Sequence, residues 1–267
     1  MDLQLKDRIA LVTGGSRGIG AGIVRRLAKE GVKVAFCARA STAMTALETD
    51  VRLGGGACLA VPVDVFDPLA LQAAVNSAAT YWGGLDILVN NIGGAIRFGG
   101  FEDLNDDDWM RAYEFNLMSQ VRFTRAALPY IRRSTLKRVI NVSSIKAQQP
   151  GFYNPHYAVT KAAVVNLGKH LANILAKDKI LVNTVCPGPV HSESWESNIA
   201  KIASERSISA EESRRAVETE EAAKIPLGAV GEPEHVAAIV ALLASPSSAW
   251  TTGSCFHVNG GKMMAAF

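Results

Sequence analysis

Cysteine is scarce in this chain of 267 residues: Cys37, Cys58, Cys186 and Cys255, with no Cys-x-x-Cys pair. A disulfide framework is not expected at this size. The apolar or tight-turn setting of each thiol predicts reduced, buried cysteines and no metal site. Neither sign of charge dominates. The 28 basic and 25 acidic residues leave a formal net charge of +3, and they are scattered. Such a balance gives no support for a nucleic-acid surface. Pairs such as Arg25-Arg26 and Arg132-Arg133 read as solvated helix faces. Long hydrophobic runs are missing too, so no membrane span is expected. Residues Met1 to Arg8 lack the apolar core of a signal peptide. A soluble, cytoplasmic protein is the expectation. No linker, repeat or low-complexity tract divides residues 1–267, which read as a single domain with one sizeable core.

What the chain does have is alternation. Short apolar runs (Ile9 to Val12, Val32 to Cys37, Cys58 to Val63, Leu85 to Val89, Arg138 to Val142, Ile180 to Val185) are separated by helical patterns. The first helix shows Ile19, Ile23 and Leu27 at intervals of four, and Gly31 closes it. Further helices are expected over Thr42 to Leu53, Pro68 to Trp82, from about Asp106, and to about Ala176. Continuous apolar strands between helices imply an α/β, Rossmann-like, doubly wound parallel sheet covered on both faces. Residues 189–225 interrupt the rhythm. They are charge-rich, with Trp195, Ile199 and Ile202 at helical spacing. A small helical insertion is expected there, either a substrate loop or lid, or a solvated excursion or oligomer contact.

The turn Thr13-Gly14-Gly15-Ser16-Arg17-Gly18-Ile19-Gly20 follows the first strand and opens the first helix. Gly14, Gly18 and Gly20 let the backbone turn tightly and approach a pyrophosphate, while the helix offers its first amides. Ser16, Arg17 and Ile19 are counted with them as cofactor contacts. The second strand ends in Ala38 with no carboxylate, followed by Arg39. A carboxylate there would repel a 2′-phosphate, whereas a guanidinium binds it with paired hydrogen bonds. Arg17 is a candidate second arm. NADP(H) is therefore favoured over NAD(H), unless both arginines are ordinary surface charges. Asp64, after the third strand, either accepts from the adenine amine or caps the next turn, with Val65 beside it. Asn90 and Asn91 end the fourth strand. Amides there can tie strand ends together, and Gly93 permits close approach to the cofactor.

Tyr157 and Lys161 lie four residues apart, one helical turn, and Ser144 lies thirteen residues before the tyrosine. An unperturbed phenol, with a pKa of about 10, is a poor proton donor or acceptor at neutral pH. A nearby ammonium is expected to lower that value, and Lys161 is placed to supply it and to hold a nicotinamide ribose. Ser144 can polarise a substrate oxygen at the carboxyl edge of the sheet.

These motifs resemble the short-chain dehydrogenase/reductase family of the shorter, single-domain type, over essentially the whole chain. The family's TGxxxGxG pattern falls on Thr13 to Gly20. Its NNAG pattern falls on Asn90 to Gly93, with Ile92 in place of alanine. Its YxxxK pair falls on Tyr157 and Lys161, and its active serine on Ser144. The resemblance adds Asn116 as a fourth catalytic position, one that can hold a water linking the lysine to solvent. It adds Pro187, Gly188, Val190 and Ser192 around the nicotinamide, with serine at a position that is usually threonine. Ala229 and Asn259 depart from the usual arginine and aspartate, at positions that are structural or near subunit contacts. The resemblance implies strand order 3-2-1-4-5-6-7 and a homotetramer.

The expected activity is NADPH-dependent reduction of a small-molecule ketone, with 3-oxoacyl thioesters among the candidate substrates. An NAD-dependent alcohol, sugar or steroid dehydrogenase is the alternative, and Arg39 counts against it. An isomerase or dehydratase of the longer relatives would show a different glycine spacing and a larger C-terminal region. A non-catalytic scaffold would not need all four catalytic positions. Candidate pocket residues come from 94–98, 146–153 and 191–202. They include Ile96, Phe152 and Trp195 with Gln148, Gln149 and His191. His156 reads as packing. Lys146 and Arg97 face either an anionic substrate or solvent.

Overall fold

A computed structural model describes residues 2–265, the side chains at 193, 194 and 198 excepted. Each of the six apolar runs becomes a strand, β1 Ile9–Thr13, β2 Lys33–Ala38, β3 Cys58–Pro62, β4 Ile87–Asn90, β5 Arg138–Val142 and β6 Leu181–Pro187, and a seventh, β7 Cys255–Val258, completes the sheet. All pair in parallel, in the order β3-β2-β1-β4-β5-β6-β7. Parallel strands need covered crossovers, and the helices supply them. These are α1 Gly18–Lys29, α2 Thr42–Leu53, α3 Pro68–Trp82, α4 Asp106–Tyr113, α5 Ser119–Ile131, α6 Pro155–Leu175, α7 Glu193–Arg206, α8 Ala210–Ala222 and α9 Pro233–Ala244.

Alternation along β1 divides the core. Ala10 and Val12 pack with Ile23, Leu27, Val236 and Val240 of α1 and α9. Leu11, between them, packs on the other face with Leu71, Val75, Phe123 and Ile131 of α3 and α5. A strand buried on both faces favours apolar side chains on both, which explains the mostly apolar runs; the polar exceptions, such as Asn90 and Asn141, are hydrogen-bonded to each other. The chain reverses direction across the sheet between β1 and β4, and ligands of such sheets bind at the carboxyl edge beside that point.

Two elements differ from the sequence reading. The long helix from Asp106 is broken by a π-helical turn, Glu114–Met118, between α4 and α5. A one-turn π segment leaves no mark on a hydrophobic period, and such turns are frequent at functional sites. Asn116 sits on it. The sixth strand runs on past Val185 to Pro187, where it pairs with Val258.

The insertion expected at 189–225 is present as α7 and α8. They pack on each other through Trp195, Ile199 and Val217, a small core separate from the main one. Among the described residues no helix is long and apolar enough to cross a membrane.

Candidate active site

The glycine turn closes on itself. Gly14 and Gly18 have φ of +65° and +51°, a region that side chains rarely adopt. A Cβ on Gly15 would sit 2.5 Å from the Phe36 Cβ, and one on Gly20 would overlap the Gly14 carbonyl oxygen. The Gly15 N–H donates to the Cys37 carbonyl at 3.1 Å, which stitches the turn to the end of β2, two residues before the exposed Arg39. Arg17 stands at the N-cap of α1, and its side chain makes no cap hydrogen bond. The first amides of α1 therefore face the carboxyl edge of the sheet.

Asn91 locks the turn in place. Its Nδ2 donates to the carbonyls of Thr13 and Gly14 at 3.1 and 3.0 Å, and its own N–H donates to Thr13 Oγ1 at 2.9 Å. Next to it, Asn90 Nδ2 donates to Thr124 Oγ1 at 2.9 Å and to Asn141 Oδ1 at 3.0 Å. The amides at the end of β4 thus tie neighbouring strand ends, as their position suggested. Ile92, in the place of alanine, is buried in the second core face. Asp64 Oδ1 accepts from the Phe66 N–H at 3.0 Å, so the turn-forming role is observed. The Val65 side chain lies in the core.

The candidate catalytic wall lies on the other side of β4. Lys161 is 2% exposed, and its Nζ donates to the Val142 carbonyl at 3.0 Å. Ser143 Oγ donates to the Lys161 carbonyl at 2.8 Å, so the serine beside Ser144 fixes the lysine-bearing turn of α6. Ser144 Oγ accepts from the Lys146 N–H at 3.2 Å. A Cβ on Gly93 would overlap Lys161 Nζ and sit 2.9 Å from Asn116 Oδ1. That glycine is what lets the loop after β4 touch the lysine. Asn116 Oδ1 accepts from the Gly94 N–H at 2.8 Å, and its Nδ2 donates to the carbonyls of Gly94 and Ala112. Its side chain pins the loop.

Burial corrects one electrostatic expectation. The Tyr157 phenol is held above its usual pKa by burial. A hydrogen bond from Ser144 opposes the rise and Cys186 adds to it. The ammonium, 5.7 Å from the Tyr157 ring centroid, does not reverse that balance. Burial also lowers the Lys161 pKa, to about 8. Desolvation is the largest cause of both shifts. At neutral pH the tyrosine is a protonated acid rather than a phenolate.

The structure also sorts the candidate pocket. Arg97 Nη1 lies 2.9 Å from Asp108 Oδ2, so its charge is spent on the cap of α4. His191 lies 2.7 Å from Glu232 and 3.3 Å from Glu218. His156 is fully buried with its ring 6.1 Å from that of Trp109, which is the packing role. Lys146 remains half-buried, its pKa lowered by burial. Ile96, Phe98, Phe152 and Tyr153 are exposed around the mouth. Asn154, overlooked in the sequence, adopts φ of +62° ahead of α6, and its Oδ1 accepts from the Gly99 N–H at 3.1 Å. Asn is the side chain best tolerated in that conformation, the one local signal that marked it. At the far end, Gly188 packs so closely on Asn259 that a Cβ would sit 2.7 Å from its Cβ. Val190 is buried and Ser192 caps α7.

A strand–glycine turn–helix opening, a seven-stranded parallel sheet and a Ser-Tyr-Lys-Asn wall define a dinucleotide-dependent oxidoreductase. The chain belongs to the short-chain dehydrogenase/reductase family. A family model described as enoyl-(acyl carrier protein) reductase matches residues 14–262. The chain is 33% identical to 3-oxoacyl-[acyl-carrier-protein] reductase FabG of Vibrio cholerae over 98% of this chain and all of that protein. It is 36% identical to oxidoreductase UcpA of Escherichia coli O157:H7, over 98% of this chain and 96% of that one. In structure it is similar to L-sorbose reductase of Gluconobacter frateurii complexed with NADPH and L-sorbose. There the TM-score is 0.92 and identity 31%, over 99% of this chain and 100% of that one.

Proposed function

We propose that this oxidoreductase reduces a ketone to a secondary alcohol with NADPH, Tyr157 supplying the proton. The observation that carries the reading is the wall itself: Tyr157 stands one helical turn from the buried Lys161, whose Nζ lies 5.7 Å from the centroid of the phenol ring, with Ser144 at the end of the neighbouring strand. Reduction of a carbonyl leaves negative charge on oxygen, and a protonated acid beside a second hydroxyl is what that charge requires. Ser144 orients and polarises the carbonyl oxygen. Lys161 steadies the tyrosine and offers a donor to a ribose. Asn116 and Gly93 hold the loop that borders them.

The residues present fit a dinucleotide, which supplies a hydride when bound. The bare turn at Gly14, Gly18 and Gly20, with the start of α1, leaves amides for a pyrophosphate. Ser16 and Ile19 belong to the same turn. Arg39, with Arg17, would hold a 2′-phosphate, and the NADPH complex of L-sorbose reductase supports that choice. The second oxygen of Asp64, with the backbone of Val65, would meet the adenine. Asn91, Gly93, Pro187, Gly188, Val190 and Ser192 would border the nicotinamide. Lys201 Nζ of α7 lies 5.6 Å from the centre of the Phe98 ring, a contact that supports a lid role for residues 189–225. The exposed Trp250 and Met264 support burial in a homo-oligomer, a tetramer by family resemblance.

A panel of ketones, keto-esters, sugars, 3-oxoacyl thioesters and enoyl thioesters, assayed with NADPH and NADH by loss of reduced-cofactor absorbance, tests the reading. Carbonyl reduction preferring NADPH is expected. Turnover confined to enoyl thioesters, or preference for NADH, would overturn it.

A further inference from the structure

Three soft donors that the oxidoreductase reaction does not use meet beside its catalytic wall. Cys186 of β6 and Cys255 of β7 place their Sγ atoms 3.2 Å apart. His257 Nε2 lies 3.9 Å from Cys255 Sγ. All three donor atoms fall within 4.8 Å of one another. The register explains the meeting. Cys186 pairs with His257, and Cys255 is two residues before that histidine, so all three side chains share one face of the sheet. No Cys-x-x-Cys spacing announces them, because the third ligand comes from a different strand.

We propose that Cys186, Cys255 and His257 form a binding site for a thiophilic divalent cation such as Zn²⁺. Thiolate and imidazole are the donors that zinc selects. Tetrahedral coordination at ordinary Zn–S and Zn–N lengths puts ligand atoms about 3.5–3.8 Å apart. The observed 3.2 and 3.9 Å bracket that range, so only side-chain adjustment is needed. Cys186 is buried, Cys255 half-buried and His257 exposed, which gives a closed floor and an open entrance. Each thiol that ligates releases its proton to solvent. Two thiolates and one dication sum to zero charge, so the occupied site adds no net charge next to Lys161. Gln148 Oε1 hydrogen-bonds His257 Nε2, the atom that would ligate. Ligation through Nε2 displaces that amide. Gln148 lies on the loop after Ser144, so occupancy of the cation site shifts a wall of the substrate mouth.

The test uses the full chain, kept reduced and free of oxygen, titrated with Co²⁺ and then with Zn²⁺ against a chromophoric chelator. One equivalent should bind, with a thiolate-to-cobalt charge-transfer band that Zn²⁺ bleaches. Cys255→Ser and His257→Ala should each weaken Zn²⁺ binding at least tenfold, with far-UV circular dichroism unchanged. Cys37 and Cys58 remain in both variants and control for thiols elsewhere. Absence of the band, or Zn²⁺ affinity untouched by both substitutions, would overturn the site. A cobalt spectrum of nitrogen and oxygen ligands alone would do the same.

Discussion

The two ends of the active site are built by opposite means. The nucleotide end, from Thr13 to Gly20, is shaped by side chains that are missing: at Gly15 and Gly20 a single added carbon meets its neighbours at or inside contact distance. The catalytic end is shaped by polar side chains that are buried. Asn90, Asn116, Asn141, Ser143 and Lys161 are all nearly inaccessible, and most are engaged by backbone or by each other. Buried polar groups are tolerable when satisfied, and costly once a partner is removed. The first end should therefore fail when atoms are added, and the second when they are deleted.

The largest effect should come from the smallest deletion at the catalytic end. Tyr157→Phe removes one oxygen and the only assigned proton donor. Turnover should fall by about 10²–10⁴-fold, the usual weight of a general acid. Cofactor affinity, measured by fluorescence quenching, should stay within a few-fold. Substantial residual turnover would take the tyrosine out of its role. The matching addition at the nucleotide end is Gly20→Ala. Its methyl would overlap the Gly14 carbonyl oxygen and lie 2.7 Å from Asn91 Nδ2. Overpacking of this kind costs about 1–3 kcal/mol. Gly55 is the control: with φ of +82° it is strained for alanine, yet nothing lies within 4 Å of an added Cβ. If Gly20→Ala lowers Tm no more than Gly55→Ala does, the turn is not built by exclusion.

The sequence showed these two ends unequally, for physical reasons. Glycines in a strand–turn–helix context declare a backbone conformation directly, and the period of Ile19, Ile23 and Leu27 declares the helix that follows. Tyr157 and Lys161 were legible because helix geometry fixes what a spacing of four means, and Ser144 because it follows an apolar strand at the sheet edge. What spacing does not carry is long-range pairing. The π turn at Asn116 keeps the hydrophobic rhythm of a helix. The clamp from Ser143 to the Lys161 carbonyl joins residues eighteen apart. Arg97 finds Asp108, and His191 finds Glu218 and Glu232, only after folding, and no spacing in the sequence announced either pairing. The sign of the Tyr157 shift was missed for the same cause: burial is a property of the tertiary structure, and it outweighed a charge that the sequence placed correctly.

Arg39 offers a milder probe of the nucleotide end, since it is exposed and contributes charge rather than shape. Arg39→Asp should reverse its sign at the 2′-phosphate. Charge-assisted hydrogen bonds are worth about 1.5–3 kcal/mol, or roughly ten- to a hundredfold in affinity. The ratio of kcat/KM with NADPH to that with NADH should fall by about that factor, with folding unchanged. A ratio that does not move would show that the arginine does not read the phosphate.

The subtlest test concerns Lys161, where the catalytic end holds a charge against desolvation. Its pKa falls from 10.5 to about 8, chiefly through burial. Between those values the unfolded chain binds more protons at this site than the folded one does. Stability must therefore rise with pH across that window, and lose this contribution as pH falls through about 8. Lys161→Met keeps the length of the side chain and removes the proton. Relative to wild type it should be most favoured near pH 7, where the native ammonium is charged and buried, and the advantage should shrink towards pH 10. At about 2–4 °C per kcal/mol for a domain of this size, the change in Tm difference should amount to several degrees. Turnover is lost at every pH, so the readout is thermal unfolding and not activity. If the two Tm curves run parallel instead, the ammonium is hydrated in the folded protein. Lys161 would then be a surface charge like Arg39, and the contrast between an end shaped by absence and an end shaped by burial would fail at its central residue.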